Sequence, residues 1–207
     1  MRSWLGYIYE QVLKHSHHMA RPLSEEKREA ILVAATELVS SLGTGAPTAK
    51  IAAAAGVAEG TLFTYFATKD DLLNELLVAI ETELAQALLV SYGATKSPRE
   101  RVQRVWECLV EWGKANSVQR KAMRQLKVSD RISAQTTQRC NALFGEIRAV
   151  IERSLAGHAD PKRIPFYIDH VLMGLADVAI EATAANPKNH KHHREAGFDL
   201  FWQGIKA

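Results

Sequence analysis

The chain is short of the residues that would place it in several large protein classes. Cysteine occurs twice in 207 residues, as Cys108 and Cys140, and never as a CxxC pair. That argues against a disulfide framework and reads as two partly buried thiols in a reducing, cytoplasmic setting. Long apolar runs are missing too: the most apolar late segment, VLMGLADVAIEATAA, is broken by Asp177 and Glu181, so no stretch suits a bilayer. Charge bias is small. A net charge of +3 is too mild to mark a nucleic-acid binder by itself. The signatures of catalysis are likewise missing, with no glycine-rich phosphate loop, no HExxH and no GxSxG. What remains, 47% apolar and 24% charged, is ordinary for a globular chain of one or two domains with a sizeable core.

Sustained period-2 alternation is also lacking, whereas helical spacing runs nearly throughout, which predicts an all-α fold of about nine helices. From Ser24 to Ser41 the residues Ile31, Leu32, Ala35, Leu38, Val39 and Leu42 form one stripe. Ser24 serves as N-cap, Glu25 and Glu26 suit the positive helix end, and Gly43 and Gly45 stop the element. A short helix comes next, over 47–54. Thr68 with Asp71 matches a capping box for a long helix to Tyr92, striped by Leu72, Leu73, Leu76, Leu77, Ile80, Leu84 and Leu88. Pro98 opens a helix carrying Val102, Val105, Trp106, Leu109 and Trp112. Further helices are expected over 117–128, 131–156, 165–185 and 190–205.

Residues 1–18, MRSWLGYIYEQVLKHSHH, fit poorly with the rest of the chain, and Met19 opens MARPLSEEKREAIL like a natural start. They read as an upstream extension. A genuine helix is the alternative, since Trp4, Leu5, Ile8 and Val12 are helically spaced.

Residues 48–66, TAKIAAAAGVAEGTLFTYF, carry the functional pattern. Ile51, Ala52 and Ala55 are small packing residues, Gly56 is placed to turn the chain, and Val57 plugs the turn. A second helix from about Ala58 buries Leu62 and Phe66. Small residues on both helices let them cross tightly over a short turn, which is the pattern of a helix-turn-helix. Its outer face would present Ala58, Glu59, Gly60, Thr61, Thr64 and Tyr65 to a duplex. The hydroxyls suit phosphate, Glu59 suits a cytosine amine, and Lys69 lies at the start of the next helix, where its charge and the helix dipole favour phosphate.

The run TAKIAAAAGVAEGTLFTYFATKDDLL resembles the signature of the TetR/AcrR family of bacterial repressors, in Ile51–Ala52, Ala55–Gly56–Val57, Gly60–Thr61–Leu62, Tyr65–Phe66, Lys69 and Leu72. A looser likeness to RamR-type multidrug-efflux repressors rests on MARPLSEEK, GTLFTYFATKD and AMRQLKVSD. Two departures stand out. Phe63 takes the place of a usual tyrosine, and Ala46–Pro47 replaces a common Ser/Thr pair, leaving Thr48 for the backbone contact. Charge is a third oddity, with five basic residues against six acidic ones from Met19 to Asp70, so that Lys50, Lys69 and an Arg21 arm must compensate.

The resemblance implies a DNA-binding domain over 19–70 and a ligand-binding and dimerisation domain over 71–207. It implies a ligand-responsive repressor that binds a palindromic DNA operator as a homodimer, needs no cofactor, metal or membrane, and is released by a small hydrophobic or cationic effector. Leu172, Leu175, Val178 and Ala179, with Phe198, Leu200, Phe201 and Trp202, would form the dimer seam. Leu77, Trp106, Leu109, Cys140, Phe144, Asp169, Leu172 and Met173 would line the ligand pocket. Within that set Trp106 reads either as core or as an aromatic wall, and Asp169 either as an exposed carboxylate or as a counter-charge for a cation. Arg120, Arg124, Lys127 and Arg131 share a face that is either solvated or paired with acids of the first domain. His190, His192 and His193 read as solvated, without the partners a metal needs. The rival reading is a helical small-molecule binder or enzyme whose helix-turn-helix is only structural.

Overall fold

The computed structural model describes residues 24–91 and 97–207. The expectations for residues 1–18, for Met19 and Arg21, and for a helix end at Tyr92 lie outside them. The described residues form an all-helical chain. Ten helices run α1 Glu25–Leu42, α2 Thr48–Ala54, α3 Glu59–Tyr65, α4 Lys69–Ser91, α5 Pro98–Ala115, α6 Ser117–Lys127, α7 Ala134–Leu143, α8 Gly145–Leu155, α9 Met173–Ala185 and α10 His190–Gly204. A helical turn at Ile164–Phe166 and a π-helical stretch at Tyr167–Leu172 lead into α9.

Local chemistry sets most of these ends. The Ser24 hydroxyl accepts from the Lys27 amide at the start of α1, and Gly43 leaves the helix at φ 72°. Thr68 and Asp71 make the reciprocal capping box of α4: the Thr68 amide donates to the Asp71 carboxylate and the Asp71 amide to the Thr68 hydroxyl, each at 3.0 Å. Ser97 and Glu100 repeat the device on α5, where Pro98 occupies the first turn.

The single helix expected over 131–156 is in fact two. Ser133 caps α7, and the chain breaks at Phe144, whose ψ of 2° leaves the helical region just before Gly145. Glycine's weak helix propensity removes the incentive to continue through that point. Leu42, placed on the buried stripe by its spacing, is half exposed at the end of α1.

One apolar core unites the chain. The α4 stripe from Leu72 to Leu88 is buried along its length, as expected. α4 packs against α1, α5, α6, α7 and α8, while α1 also lies along α6. The small unit of α1 to α3 is therefore seated on the larger body through two of its neighbours, not through a linker alone. No helix of the described residues is long and apolar enough to cross a membrane.

Candidate nucleic-acid interface and its neighbouring groove

Ile51, Ala52 and Leu62 are buried where α2 and α3 cross. Gly56 turns the chain at φ 68°, a conformation that a Cβ would strain. The Val57 amide reaches back to the Ala52 carbonyl at 2.9 Å and the Gly56 amide to Ala53 at 3.1 Å, closing the end of α2. This geometry holds α3 outward. Ala58, Glu59, Gly60, Phe63 and Thr64 are exposed, and Thr61 and Tyr65 are half-buried. Lys50 is exposed on α2. Around Gly60 a Cβ would find open space, so nothing in the fold itself demands a glycine there.

Several of these side chains already have partners. The Thr48 hydroxyl donates to Glu59 Oε1 at 2.6 Å, tying the start of α2 to the start of α3. Thr64 donates to the Gly60 carbonyl at 3.1 Å within its own helix. The Tyr65 hydroxyl accepts from the Ser24 amide at 3.0 Å and so supports the entry to α1, with its own proton still available to donate. Lys69 is half-buried; burial first, then the Arg131 charge, holds its ammonium below the ordinary lysine range, while Asp70 acts against them. Arg28 is committed elsewhere, with its guanidinium over the Phe66 ring and paired with Glu75 at 3.1 Å.

The face of Arg120, Arg124, Lys127 and Arg131 is paired throughout. Arg120 meets Asp177 at 2.7 Å, Arg124 meets Glu181 at 2.6 Å, Lys127 meets Glu81 at 2.5 Å, and Arg131 meets Asp70 at 2.7 Å. Of these only the Arg131 pair reaches the first turn of α4, next to the unit of α1 to α3. Glu75 adds a second tie, taking Arg28 of α1 on one oxygen and Arg139 of α7, at 2.6 Å, on the other.

The residues expected around one ligand have different surroundings. Trp106 belongs to the core: it is fully buried, its indole N–H donates to the Arg194 carbonyl at 2.9 Å, and its ring packs on Phe198. Leu109 is buried on the same helix. Asp169 is an exposed carboxylate bound bidentately by Arg148. Leu172 is buried, Met173 points outward, and Phe144 is half-buried at the α7–α8 break. Leu77 and Cys140 share a cavity, a groove of about 330 Å³ lined also by Glu81, Lys127, Ser129, Ile132, Thr137 and Asn141.

Glu81 is the residue that sequence reasoning passed over. It lies on α4 four residues after Leu77 and three before Leu84, so it is a carboxylate on an otherwise apolar stripe, and its side chain is 3% exposed. That placement was the available signal. Burial, then the neighbouring Glu81 carboxylate, pushes the Cys140 thiol up to about 12. Among the described residues no group of His, Cys, Asp or Glu is arranged to hold a metal ion.

Residues 31–76 match the family described as bacterial regulatory proteins, tetR family, a span running from α1 into α4 and enclosing the whole helix-turn-helix. The fold extends the likeness over most of the chain. A protein assigned as a TetR-family transcription regulator from Shewanella sp. PV-4 superposes with a TM-score of 0.78 at 27% identity, covering 87% of this chain and 98% of that one. A TetR-family transcription regulator from Marinobacter aquaeolei VT8 gives 0.75 at 21%, covering 88% and 96%. The transcriptional regulator FadR from Bacillus subtilis, solved with stearoyl-CoA, gives 0.68 at 16%, covering 86% and 99%. The outward-facing α3 and the helical body behind it have the arrangement of a helix-turn-helix unit seated on a helical domain. Residues 31–76 carry the likeness to the tetR family, and the fold as a whole is shared with solved regulators assigned to that family.

Proposed function

We propose that the chain is a ligand-responsive repressor that binds a near-palindromic operator as a homodimer and is released by a small effector. The observation that carries this is the exposed α3, which presents small residues and hydroxyls with Lys50 and Lys69 at its flanks. Ala58 and Gly60 keep the helix slim in the major groove. Thr48, Thr61, Tyr65 and Lys69 grip phosphate, and Glu59 and Thr64 read base edges with help from Lys50. Exposed Phe166, Met173, Val178 and Leu200, on or beside the last two helices, support a second copy seated there. The looser likeness to RamR-type repressors favours efflux genes as targets. The acyl-CoA bound by the Bacillus subtilis relative is that protein's ligand. A buried carboxylate in the groove of this chain is a poor host for so anionic a molecule.

The test is fluorescence anisotropy on the duplex upstream of the chain's own gene, against random duplex, over a salt series. Preference for the upstream site and a steep fall of affinity with salt are expected. Lys69→Ala should weaken all sequences alike, by about a factor of ten or less, because one phosphate contact is lost without a base contact. A ligand-free protein that holds no duplex would refute the reading.

A further inference from the structure

The Glu81 groove is a built polar site. Glu81 is almost wholly buried, and its Oε1 lies 2.5 Å from Lys127 Nζ, yet that oxygen receives no aligned hydrogen bond among the described residues. Lys127 itself is half exposed at the last position of α6, so its ammonium can swing into water while Glu81 cannot follow. Lys127, the last residue of α6, and Ser129 just beyond it line the same space, so the negative end of the α6 dipole lies beside the groove. Leu77 and Ile132 supply the apolar lining.

These facts fix the charge of a guest. An anion would meet a buried carboxylate. A neutral guest that displaced Lys127 would leave the buried Glu81 charge without a counter-ion, with only the neutral Cys140 thiol beside it, a costly state for a buried charge. A cation replaces Lys127 charge for charge and adds apolar contact that the lysine head does not make.

The groove also touches the segment that reaches the DNA-binding unit. Residues 128–133 join α6 to α7. Ser129 and Ile132 line the groove, and the intervening backbone is clasped by Asn74 of α4: its amide donates to the Arg131 carbonyl, and its carbonyl accepts from the Ser133 amide, both at 2.9 Å. Arg131 then pairs with Asp70, next to Lys69 in the first turn of α4.

We propose that this groove binds a small organic cation through Glu81 in exchange for Lys127, and that segment 128–133 carries its arrival to the DNA-proximal end of α4 through the Asn74 clasp and the Asp70–Arg131 pair. The inference rests on the regulator reading and names its effector class and its route.

The test uses the full chain and three probes of one size: phenylbutylamine, phenylbutanol and phenylbutyrate. By calorimetry the amine should bind about tenfold tighter than the alcohol, and the carboxylate not measurably, in keeping with a charged hydrogen bond. Glu81→Gln should abolish the preference for the amine. Lys127→Met, which leaves the carboxylate in place and removes its competitor, should bind the amine more tightly than the parent chain. Equal binding of amine and alcohol, an amine preference surviving in Glu81→Gln, or no gain in Lys127→Met would overturn the cation site. For the route, Asn74→Ala should bind the amine as the parent does but release the upstream duplex much less. Unaltered release would overturn it. A parent chain that binds the amine but no duplex would instead refute the regulator reading, since calorimetry reports on the groove alone.

Discussion

Gly56 and Gly60 lie four positions apart and serve opposite ends. Gly56 sits at φ 68°, so Gly56→Ala should cost about 1 kcal/mol in urea unfolding through left-handed strain. Gly60 lies inside α3 with open space where a Cβ would stand. Gly60→Ala should therefore stabilise the fold by up to about 1 kcal/mol while lowering affinity for the upstream duplex, because the added methyl stands between helix and groove. A variant that gained stability and kept its DNA affinity would show that Gly60 does not approach the duplex. Cys140 gives a second residue-level expectation. Its folded value of about 12 lies above that of a free thiol, so its stabilising contribution is complete below the ordinary thiol range and is lost as pH rises toward that value. In unfolding curves the parent should accordingly lose stability relative to Cys140→Ala only above about pH 8.5, the region where a free thiol begins to ionise. At neutral pH the native chain should also leave Cys140 unmodified by a thiol reagent that labels it once the chain is unfolded.

At the level of elements, helix contacts turn on small residues. Gly197 of α10 crosses α5 so closely that a Cβ would stand 2.8 Å from the Trp106 ring. Gly197→Ala should cost about 1–3 kcal/mol in chemical unfolding, since a fully buried indole pinned by the Arg194 carbonyl cannot yield. Elements such as α1 and α4 were legible in the sequence because caps and stripes agreed: Ser24, Thr68 and Asp71 mark starts, and Leu72 to Leu88 repeat at helical spacing. The break at Phe144 was not, because a single glycine in an apolar-periodic run does not by itself end a helix. Asp169 stayed open between two readings for a related reason. It falls within the π-helical turn Tyr167–Leu172, where the angular step differs from that of an α-helix, so spacing to Leu172 and Met173 does not report a shared face. The reading helix was legible because small, hydroxyl and apolar positions stand in fixed order. The groove was not, because its walls come from α4, α6, the 128–133 segment and α7, and only the fold brings those together.

For the whole molecule, the proposed dimer has a direct check. Val178 and Leu200 are each more than 60% exposed on α9 and α10. Leu200→Asp should shift the chain to monomer in sedimentation while leaving its helical content intact, and operator affinity should fall far more than any single contact on α3 accounts for, since two half-sites are no longer held together. An unchanged sedimentation coefficient would move the seam elsewhere.

The reading unit holds few unengaged cations. Among the described residues of 24–70 the basic side chains are Lys27, Arg28, Lys50 and Lys69; Arg28 is spoken for by Glu75, and Lys69 is half-buried beside Arg131. Grip on arbitrary duplex scales with the number of phosphates neutralised. A chromosome offers a vast excess of such duplex, and a strongly cationic regulator is largely soaked up by it. On the proposed reading, a unit this sparsely charged would escape that sink. Most of its copies would then stay free to find the operator and to meet the effector, so a small pool would suffice and occupancy would follow effector concentration with little drag from the rest of the genome.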